Sequence, residues 1–238
     1  MDLIPGQVQS PTPGAFRWRE ADAYLFDIDG TLLVTKDYVH WNALNHAMLE
    51  VYRVDTTIEG IAYHGKTDLG ILRAALERAG ISGVAFEEKL TPALEVICRE
   101  VSEHRDDIVA QICPGIPDVL ATIKDSGKLL GVASGNLASV GWQKIAAAGL
   151  RDFFSFGCFS DRDEMRSDVF CAAMREVKTR LGPHATGYFV GDTPEDIKAA
   201  KIANAPIIAV STGIFSLAEL QAHSPDLCID SCAGLSST

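Results

Sequence analysis

Two aspartates separated by one residue, Asp27 and Asp29, follow a short apolar run at residues 23–26. On an extended chain their side chains would share one face, and Gly30 lets the backbone turn immediately afterwards. Two carboxylates held so close repel each other unless a cation lies between them. A hard divalent ion with oxygen ligands would relieve that repulsion, so the pair predicts a metal site.

A second acidic segment, residues 191–196 (Gly-Asp-Thr-Pro-Glu-Asp), follows the apolar residues 188–190 and opens a predicted helix. Acids are also typical of an ordinary helix N-terminus, where capping and the helix dipole favour them. That explanation accounts for one or two acids, whereas three acids beside the first pair favour a shared ion. We therefore expect Asp192 and Asp196 to contribute to the metal site.

A third polar segment, Ser134-Gly135-Asn136, follows the apolar residues 129–133. It offers a hydroxyl, a side-chain amide and free backbone N–H groups at a predicted helix N-terminus, a combination that suits a phosphate group. An ordinary strand-to-helix turn would have the same sequence features. Both interpretations stay open from the residues alone.

The elements that must position these segments alternate between strand and helix after residue 113, which predicts an α/β fold. The predicted strands are residues 23–26, 129–133, 187–190, 207–210 and 227–229, with a further apolar run at 153–159. The predicted helices are residues 116–125, 137–148, 167–181 and 194–203. We expect a parallel sheet with helices on both faces, in which Asp27, Ser134 and Asp192 meet beyond the carboxyl ends of the strands.

The middle of the chain has a different pattern, with helical periodicity and no obvious strand. The predicted helices there are residues 38–51, 67–79 and 86–104. We expect an inserted all-helical domain at residues 36–110, between core segments at 18–35 and 111–238. Residues 1–17 lack the basic and apolar regions of a secretory signal and are predicted to form a flexible arm.

Composition excludes several classes of function for this 238-residue chain. Its formal net charge of −11 would repel nucleic acid, and no long basic run offsets it. No apolar stretch approaches the ~20 residues that a membrane span needs. The six cysteines contain no CxxC pair, which is typical of reduced thiols in a cytoplasmic protein. Cys228 and Cys232, four residues apart, are the one pair close in sequence.

The three polar segments, in this order along the chain, resemble the motifs of the haloacid dehalogenase superfamily. The resemblance covers residues 22–230. Within the superfamily, the chain is similar to the phosphoglycolate phosphatase-like and β-phosphoglucomutase-like branch. It implies a Rossmann-like core with a helical cap at residues 36–110. It also implies a magnesium-dependent phosphoric monoester hydrolase, a monomer or homodimer, that acts on a small phosphorylated metabolite.

This resemblance implies roles for individual residues. Asp27 would attack phosphorus to give an aspartyl-phosphate, while Asp29 would protonate the leaving oxygen and then activate water. The implied metal ligands are Asp27, the main-chain carbonyl of Asp29 and Asp192, with Asp196 behind them. The implied substrate-binding residues are Ser134, Gly135, Asn136 and Thr31. Dehalogenases of the superfamily lack the second acid of the first motif, so Asp29 favours phosphate chemistry.

The sequence departs from the superfamily at one catalytic position, where a lysine usually precedes a helix. Arg166 occupies that region here and could bind phosphate through two N–H groups, although arginine and lysine are not interchangeable. A solvent-facing Arg166 is the alternative, and Arg162 is the competing candidate.

His64 and Lys66 lie in the predicted cap, where related enzymes carry a loop that selects the substrate. A histidine and a lysine beside Gly65 suit an anionic substrate, although a helix entry with Thr67 as N-cap would explain part of the segment. Relatives that are sugar phosphomutases use such residues, so a mutase is the closest alternative to a phosphatase. A non-catalytic binding module is less favoured because all four acids are present.

Overall fold

The computed structural model describes residues 17–235, and within them the chain forms eight strands and eight α-helices. The strands are β1 (Ala23–Phe26), β2 (Leu33–Thr35), β3 (Ala110–Ile112), β4 (Leu129–Ala133), β5 (Phe156–Cys158), β6 (Gly187–Gly191), β7 (Ile207–Val210) and β8 (Leu227–Ile229). The helices are α1 (Val39–Tyr52), α2 (Asp68–Arg78), α3 (Val84–Glu103), α4 (Ile116–Asp125), α5 (Ala138–Ala147), α6 (Arg166–Leu181), α7 (Pro194–Ile202) and α8 (Leu217–Gln221). Six strands form one parallel sheet in the order β5-β4-β1-β6-β7-β8.

Strand β1 lies inside this sheet, between β4 and β6, and all four of its side chains are buried. Tyr24 and Phe26 belong to one apolar cluster, and Ala23 and Leu25 belong to another. Because successive side chains of a strand point to opposite faces, the sheet has an apolar layer on each face. This packing fixes the position of the residue that follows β1, which is Asp27.

The helices α1, α2 and α3 form a third apolar cluster that contains Leu44, Met48 and Leu72 among its buried members. Leu137 and Val140, at the start of α5, belong to the same cluster. The helical region therefore packs directly against the helix that follows β4. This contact brings the two parts of the molecule together beside the carboxyl ends of the strands.

The two connections between the sheet and the helical region run side by side as an antiparallel ribbon of β2 and β3. Leu33 is opposite Ile112, and Thr35 is opposite Ala110. The sequence pattern does not indicate this ribbon. Each strand has three residues, which is too few for an alternating pattern to be recognised.

The predicted parallel α/β fold is confirmed, and most predicted strands and helices agree with the structure to within two residues. The apolar run at 153–159 forms a shorter strand than its length suggests, because residues Arg151–Phe153 form a 3-10 turn before β5. The short helix α8 was not predicted. The boundaries of the helical cap stay a prediction, and the predicted arm at residues 1–17 lies outside the described residues except for Arg17.

Two further features concern chemistry away from the strand ends. All six cysteines lie within the described residues and are free thiols, including Cys228 and Cys232. Among residues 17–235, no helix combines the length and the hydrophobicity that crossing a membrane requires.

Candidate active site

Asp27 is the first residue after β1, and its side chain is buried. Its backbone N–H donates to the carbonyl of Val190 at 2.9 Å, so the strand ladder still holds it. Nη2 of Arg166 lies 2.8 Å from its Oδ1. Burial raises the pKa of Asp27 to about 6 against the opposing charge of Arg166, and Asp196 adds to that rise in pKa. A buried carboxylate whose negative charge is only partly balanced is suited to bind a cation and to attack an electrophile.

Arg166 is the first residue of α6, and its guanidinium is buried among carboxylates rather than exposed to solvent. Besides its contact with Asp27, its Nε donates to Oδ1 of Asp196 at 2.5 Å. Arg162, the competing candidate, is exposed. The structure therefore places the predicted Arg166 at the base of the site.

Asp192 follows β6 as Asp27 follows β1, and it is also buried. Thr31 donates to its Oδ1 at 3.0 Å. A Cβ on Gly30, which has a φ of +87°, or on Gly213 would overlap the Asp192 carboxylate. Burial, followed by the neighbouring carboxylate of Asp196, raises the pKa of Asp192 well above its usual range. Thr31, predicted as a substrate-binding residue, thus orients an acid in this structure.

A divalent cation fits the chemistry of these acids. Carboxylate oxygens of Asp27, Asp192 and Asp196 lie within 4.8 Å of one another, and all three residues are buried. Arg166 can balance one of the three negative charges, and a divalent cation would balance the other two. Asp196 already accepts hydrogen bonds from N and Oγ1 of Thr193, the N-cap of α7. Asp27 and Asp192 are therefore the direct ligands that this arrangement favours, with Asp196 behind them.

Asp29 points away from this cluster, toward α5. Nζ of Lys144 lies 2.9 Å from its Oδ1 and 2.8 Å from its Oδ2. The side-chain amide of Asn136 also donates to Oδ2 at 2.8 Å. Burial alone would raise the pKa of Asp29, but the charge and hydrogen bonds of Lys144, followed by the amide of Asn136, lower it. The two acids of the first motif therefore have pKa values shifted in opposite directions.

The loop Ser134-Gly135-Asn136 follows β4 and lies beside Asp29, where the side-chain amide of Asn136 donates to Oγ of Ser134 at 2.9 Å. The two residues after this loop, at the start of α5, already have partners for their N–H groups. The N–H of Leu137 donates to Asp68 at 2.8 Å, and that of Ala138 donates to Asp161 at 2.9 Å. Two protein carboxylates thus occupy donors at the helix N-terminus that follows the loop.

The N-terminus of α2 joins the cap to this loop. The Asp68 N–H donates to the carbonyl of Gly135 at 2.7 Å, in addition to the bond that its carboxylate accepts from α5. Thr67 is the N-cap of α2, as the alternative interpretation predicted, and its hydroxyl also donates to the carbonyl of Glu164 at 2.5 Å. Arg73 donates to the carboxylate of Glu164 at 2.6 Å. The cap is therefore bound to the loop that precedes Arg166.

A cavity of about 760 Å³ lies between the cap and the ends of the strands. Its core side includes Asp27, Asp29, Ser134, Lys144, Arg166 and Asp192, and its cap side includes Trp41, Tyr63, His64, Lys66 and Ile71. Burial lowers the pKa of His64 against the opposing charge of Asp29. The structure thus brings most of the predicted residues, from both regions, to one cavity.

Lys144 is the residue of this site that the sequence analysis missed. It lies on the buried face of α5 with Val140, Gly141 and Ile145. A lysine within the apolar stripe of an amphipathic helix is the signal that could have identified it, because an unpaired charge is costly to bury.

Comparison with known proteins gives consistent matches. The family model for haloacid dehalogenase-like hydrolases matches residues 24–210. A phosphoglycolate phosphatase from Nitrosococcus oceani is 24% identical over 234 residues, covering 90% of this chain and 94% of that protein. A probable phosphatase, IndB, from Dickeya dadantii is 31% identical over 152 residues, covering 60% of this chain and 63% of that protein.

Solved structures share the fold at low sequence identity. CbbY from Rhodobacter sphaeroides, solved in complex with phosphate, has a TM-score of 0.67 at 20% identity and covers 90% of this chain and 96% of its own. A β-phosphoglucomutase from Clostridium difficile has a TM-score of 0.64 at 18% identity and covers 90% of this chain and 93% of its own. The structures agree with the predicted fold, and the family model and the phosphoglycolate phosphatase relative confirm the resemblance inferred from the three motifs and the predicted phosphoric monoester hydrolase.

Proposed function

Because this chain belongs to the haloacid dehalogenase-like hydrolase family, we propose that it is a magnesium-dependent phosphatase of a small phosphorylated metabolite. The observation that carries the proposal is the pairing of Asp27 with Arg166 in the cavity between the cap and the ends of the strands. A buried carboxylate with a raised pKa beside a fixed guanidinium supplies a nucleophile together with a group that binds phosphate.

The reaction has two steps, both at phosphorus. In the first, an oxygen of Asp27 bonds to phosphorus while the bond to the leaving alcohol breaks, giving an aspartyl-phosphate. In the second, water attacks the same phosphorus and releases inorganic phosphate, which restores Asp27. Arg166 stabilises the negative charge of the transferring phosphoryl group in both steps.

Asp29 donates the proton that the first step requires and accepts the proton that the second step releases. Its lowered pKa makes it a carboxylate in the free protein, which suits the second step, where it takes a proton from the attacking water. For the first step it must give a proton to the leaving oxygen. A phosphate group bound next to Asp29 raises the pKa of its carboxyl, because like charges disfavour ionisation.

Magnesium would be held by Asp27, Asp192 and the main-chain carbonyl of Asp29, with Asp196 supporting them. Bound there, the ion supplies positive charge that offsets the phosphate and the acids. Thr31 and Arg166 hold Asp192 and Asp196 by hydrogen bonds, so these residues orient the acids for the ion.

Substrate binding is assigned to residues on both sides of the cavity. Ser134, Gly135 and Asn136 lie on the core side of the cavity, and His64 and Lys66 lie on its cap side. The cavity volume of about 760 Å³ is larger than a phosphate group needs, so the cap side must meet the rest of the substrate. The names of the relatives favour phosphoglycolate and sugar phosphates as the first substrates to test.

A sugar phosphomutase is the second candidate, favoured by the likeness to the C. difficile β-phosphoglucomutase structure. The two candidates differ in their product. A phosphatase releases inorganic phosphate, whereas a mutase returns an isomerised sugar phosphate without net release. Product analysis on sugar phosphates distinguishes them directly.

The test of the proposal is phosphate release from 4-nitrophenyl phosphate by the purified protein. We expect activity with magnesium, none in excess chelator, and none in Asp27→Asn. Asp118→Asn, at an exposed position on α4, is the matched control and should keep full activity. Undiminished turnover by Asp27→Asn, or in chelator, would contradict the mechanism.

A further inference from the structure

Lys144 is a buried lysine whose ammonium group hydrogen-bonds to Asp29 and Asn136 in the proposed active site. Its side chain is 5% exposed, although it lies on a helix whose neighbouring buried residues, Val140 and Ile145, are apolar. Its ammonium lies 2.8–2.9 Å from both carboxylate oxygens of Asp29 and 2.9 Å from Oδ1 of Asn136. Burying a lysine is costly unless each donor is satisfied, and these three oxygens satisfy it.

The same three residues form a closed network. Asn136 accepts from Lys144 through its carbonyl oxygen and donates through its amide to Asp29 at 2.8 Å. The amide also donates to Oγ of Ser134 at 2.9 Å. Asn136 therefore uses both ends of its side chain within the network, which is a different use from the phosphate binding predicted for it.

Asp29 is held by Lys144 and Asn136 although it faces the cavity. It lies in the turn after β1, and its side chain is 42% exposed toward the cavity. Lys144 and Asn136 approach it from α5 and from the loop after β4, so both of its oxygens are held from the core side. The carboxylate is thereby kept at the wall of the cavity that Asp27 also lines.

We propose that Lys144 is a positioning residue, which together with Asn136 holds the carboxylate of Asp29 where it can protonate the leaving oxygen. This inference rests on the proposed function, because it assumes that Asp29 is the acid. In this role Lys144 does more than form an ion pair with Asp29. A purely structural Lys144 would affect folding and would affect all substrates alike.

The experiment measures kcat/KM for a series of aryl phosphates that runs from 2,4-dinitrophenyl phosphate to phenyl phosphate. This parameter reports the steps up to release of the phenol, so it is sensitive to protonation of the leaving oxygen and not to hydrolysis of the intermediate. Dinitrophenolate leaves without a proton, whereas phenolate is a poor leaving group that benefits from one.

We expect Lys144→Met to lower kcat/KM about 100-fold for phenyl phosphate and less than about threefold for dinitrophenyl phosphate. Asp29→Asn should give the same pattern. The double variant should equal Asp29→Asn alone, because residues that act through one group are not additive. Lys178→Met, at an exposed position on α6, is the matched control and should leave the series unchanged.

Equal losses across the series, or additive losses in the double variant, would overturn the inference. Activity that persists in Asp27→Asn would instead contradict the proposed function, so the two failures are distinguishable. Should Lys144→Met fail to fold, Lys144→Gln keeps a hydrogen-bond donor in the same space and is held to the same criteria. Thermal melting curves of each variant establish that the protein measured is folded.

Discussion

The core side and the cap side of the cavity form two walls, the core wall and the cap wall, which differ in how their polar side chains are paired. On the core wall, Asp27, Asp192 and Asp29 are each bound by a neighbouring side chain, Arg166, Thr31 or Lys144. On the cap wall, the side chains of Lys66 and His64 form no ion pair or hydrogen bond within the described residues, although the His64 ring lies against Tyr63. The core wall is organised before a substrate arrives, whereas the cap wall keeps polar groups available for one.

This contrast separates two tasks. Groups that act on phosphorus must hold their positions to a fraction of an ångström, which neighbouring hydrogen bonds provide. Groups that select a substrate must exchange water for ligand, which unpaired side chains do at little cost. We therefore expect variants of the core wall to affect the chemical step, with differences between substrates that follow the leaving group, and variants of the cap wall to change which substrates are preferred.

The largest expected effect is that of Asp192→Asn, which removes a carboxylate from the acidic cluster. We expect kcat/KM for 4-nitrophenyl phosphate to fall about 10³-fold, because a neutral amide binds a divalent cation weakly. A magnesium titration provides the measurement, and excess magnesium should restore part of the activity. Wild-type activity at limiting magnesium would argue against a metal role for Asp192.

The next effect concerns stability. Arg166→Met leaves Asp27 and Asp196 without their shared counter-charge, so the free energy of unfolding in chelator should fall by about 4 kcal/mol. Urea unfolding gives this value. Arg105→Met is the control, because the pair of Arg105 with Asp106 is exposed and should contribute less than about 1 kcal/mol. Equal effects of the two variants would refute the view of Arg166 as an organised part of the core wall.

A pH effect follows from the raised pKa of Asp27. The folded protein holds a proton on this carboxyl up to about pH 6, above the usual range for an aspartate, so its charge disfavours the folded state at pH 7. In chelator, Asp27→Asn should be more stable than wild type at pH 7 by on the order of 3 kcal/mol. That difference should shrink as the pH falls from 6 toward 4, because the wild-type carboxyl takes up its proton.

Urea unfolding of both proteins across this pH range provides the measurement. A difference that stays constant with pH would mean that Asp27 is not the titrating group. A less stable Asp27→Asn variant at pH 7 would mean that the carboxylate is fully compensated in the metal-free protein.

The smallest expected effect is on the cap wall. His64→Ala and Lys66→Ala should change the ratio of kcat/KM between metabolite phosphates and 4-nitrophenyl phosphate by about 10-fold, with little effect on the aryl substrate itself. Lys89→Ala, exposed on α3, is the control and should leave the ratio unchanged. Equal loss on every substrate would place His64 or Lys66 in the chemical step and remove the contrast between the walls.

The residues whose positions depend on the ends of the strands could be predicted from the sequence alone. Asp27 and Asp192 each follow a buried apolar strand, and parallel strands bring their carboxyl ends to one edge of the sheet, so their convergence could be predicted. Arg166 was identified by its place before a helix, but its contact with Asp27 depends on how α6 packs.

Other contacts could not be predicted, because they depend on packing between elements far apart in sequence. Lys144 is 115 residues from Asp29 and has no motif around it. The donation of the Leu137 N–H to Asp68 requires the cap to dock on α5, which no local pattern encodes. The ribbon of β2 and β3 likewise joins two segments on either side of the helical region.

The central claim is that Asp27 becomes covalently phosphorylated, and trapping that intermediate tests it most directly. Borohydride added during turnover reduces an acyl phosphate on aspartate to homoserine, which mass spectrometry of the peptide containing residue 27 detects. We predict homoserine at position 27, dependent on both substrate and magnesium. Continued turnover with no modification at Asp27, or modification at a different acid, would contradict the account.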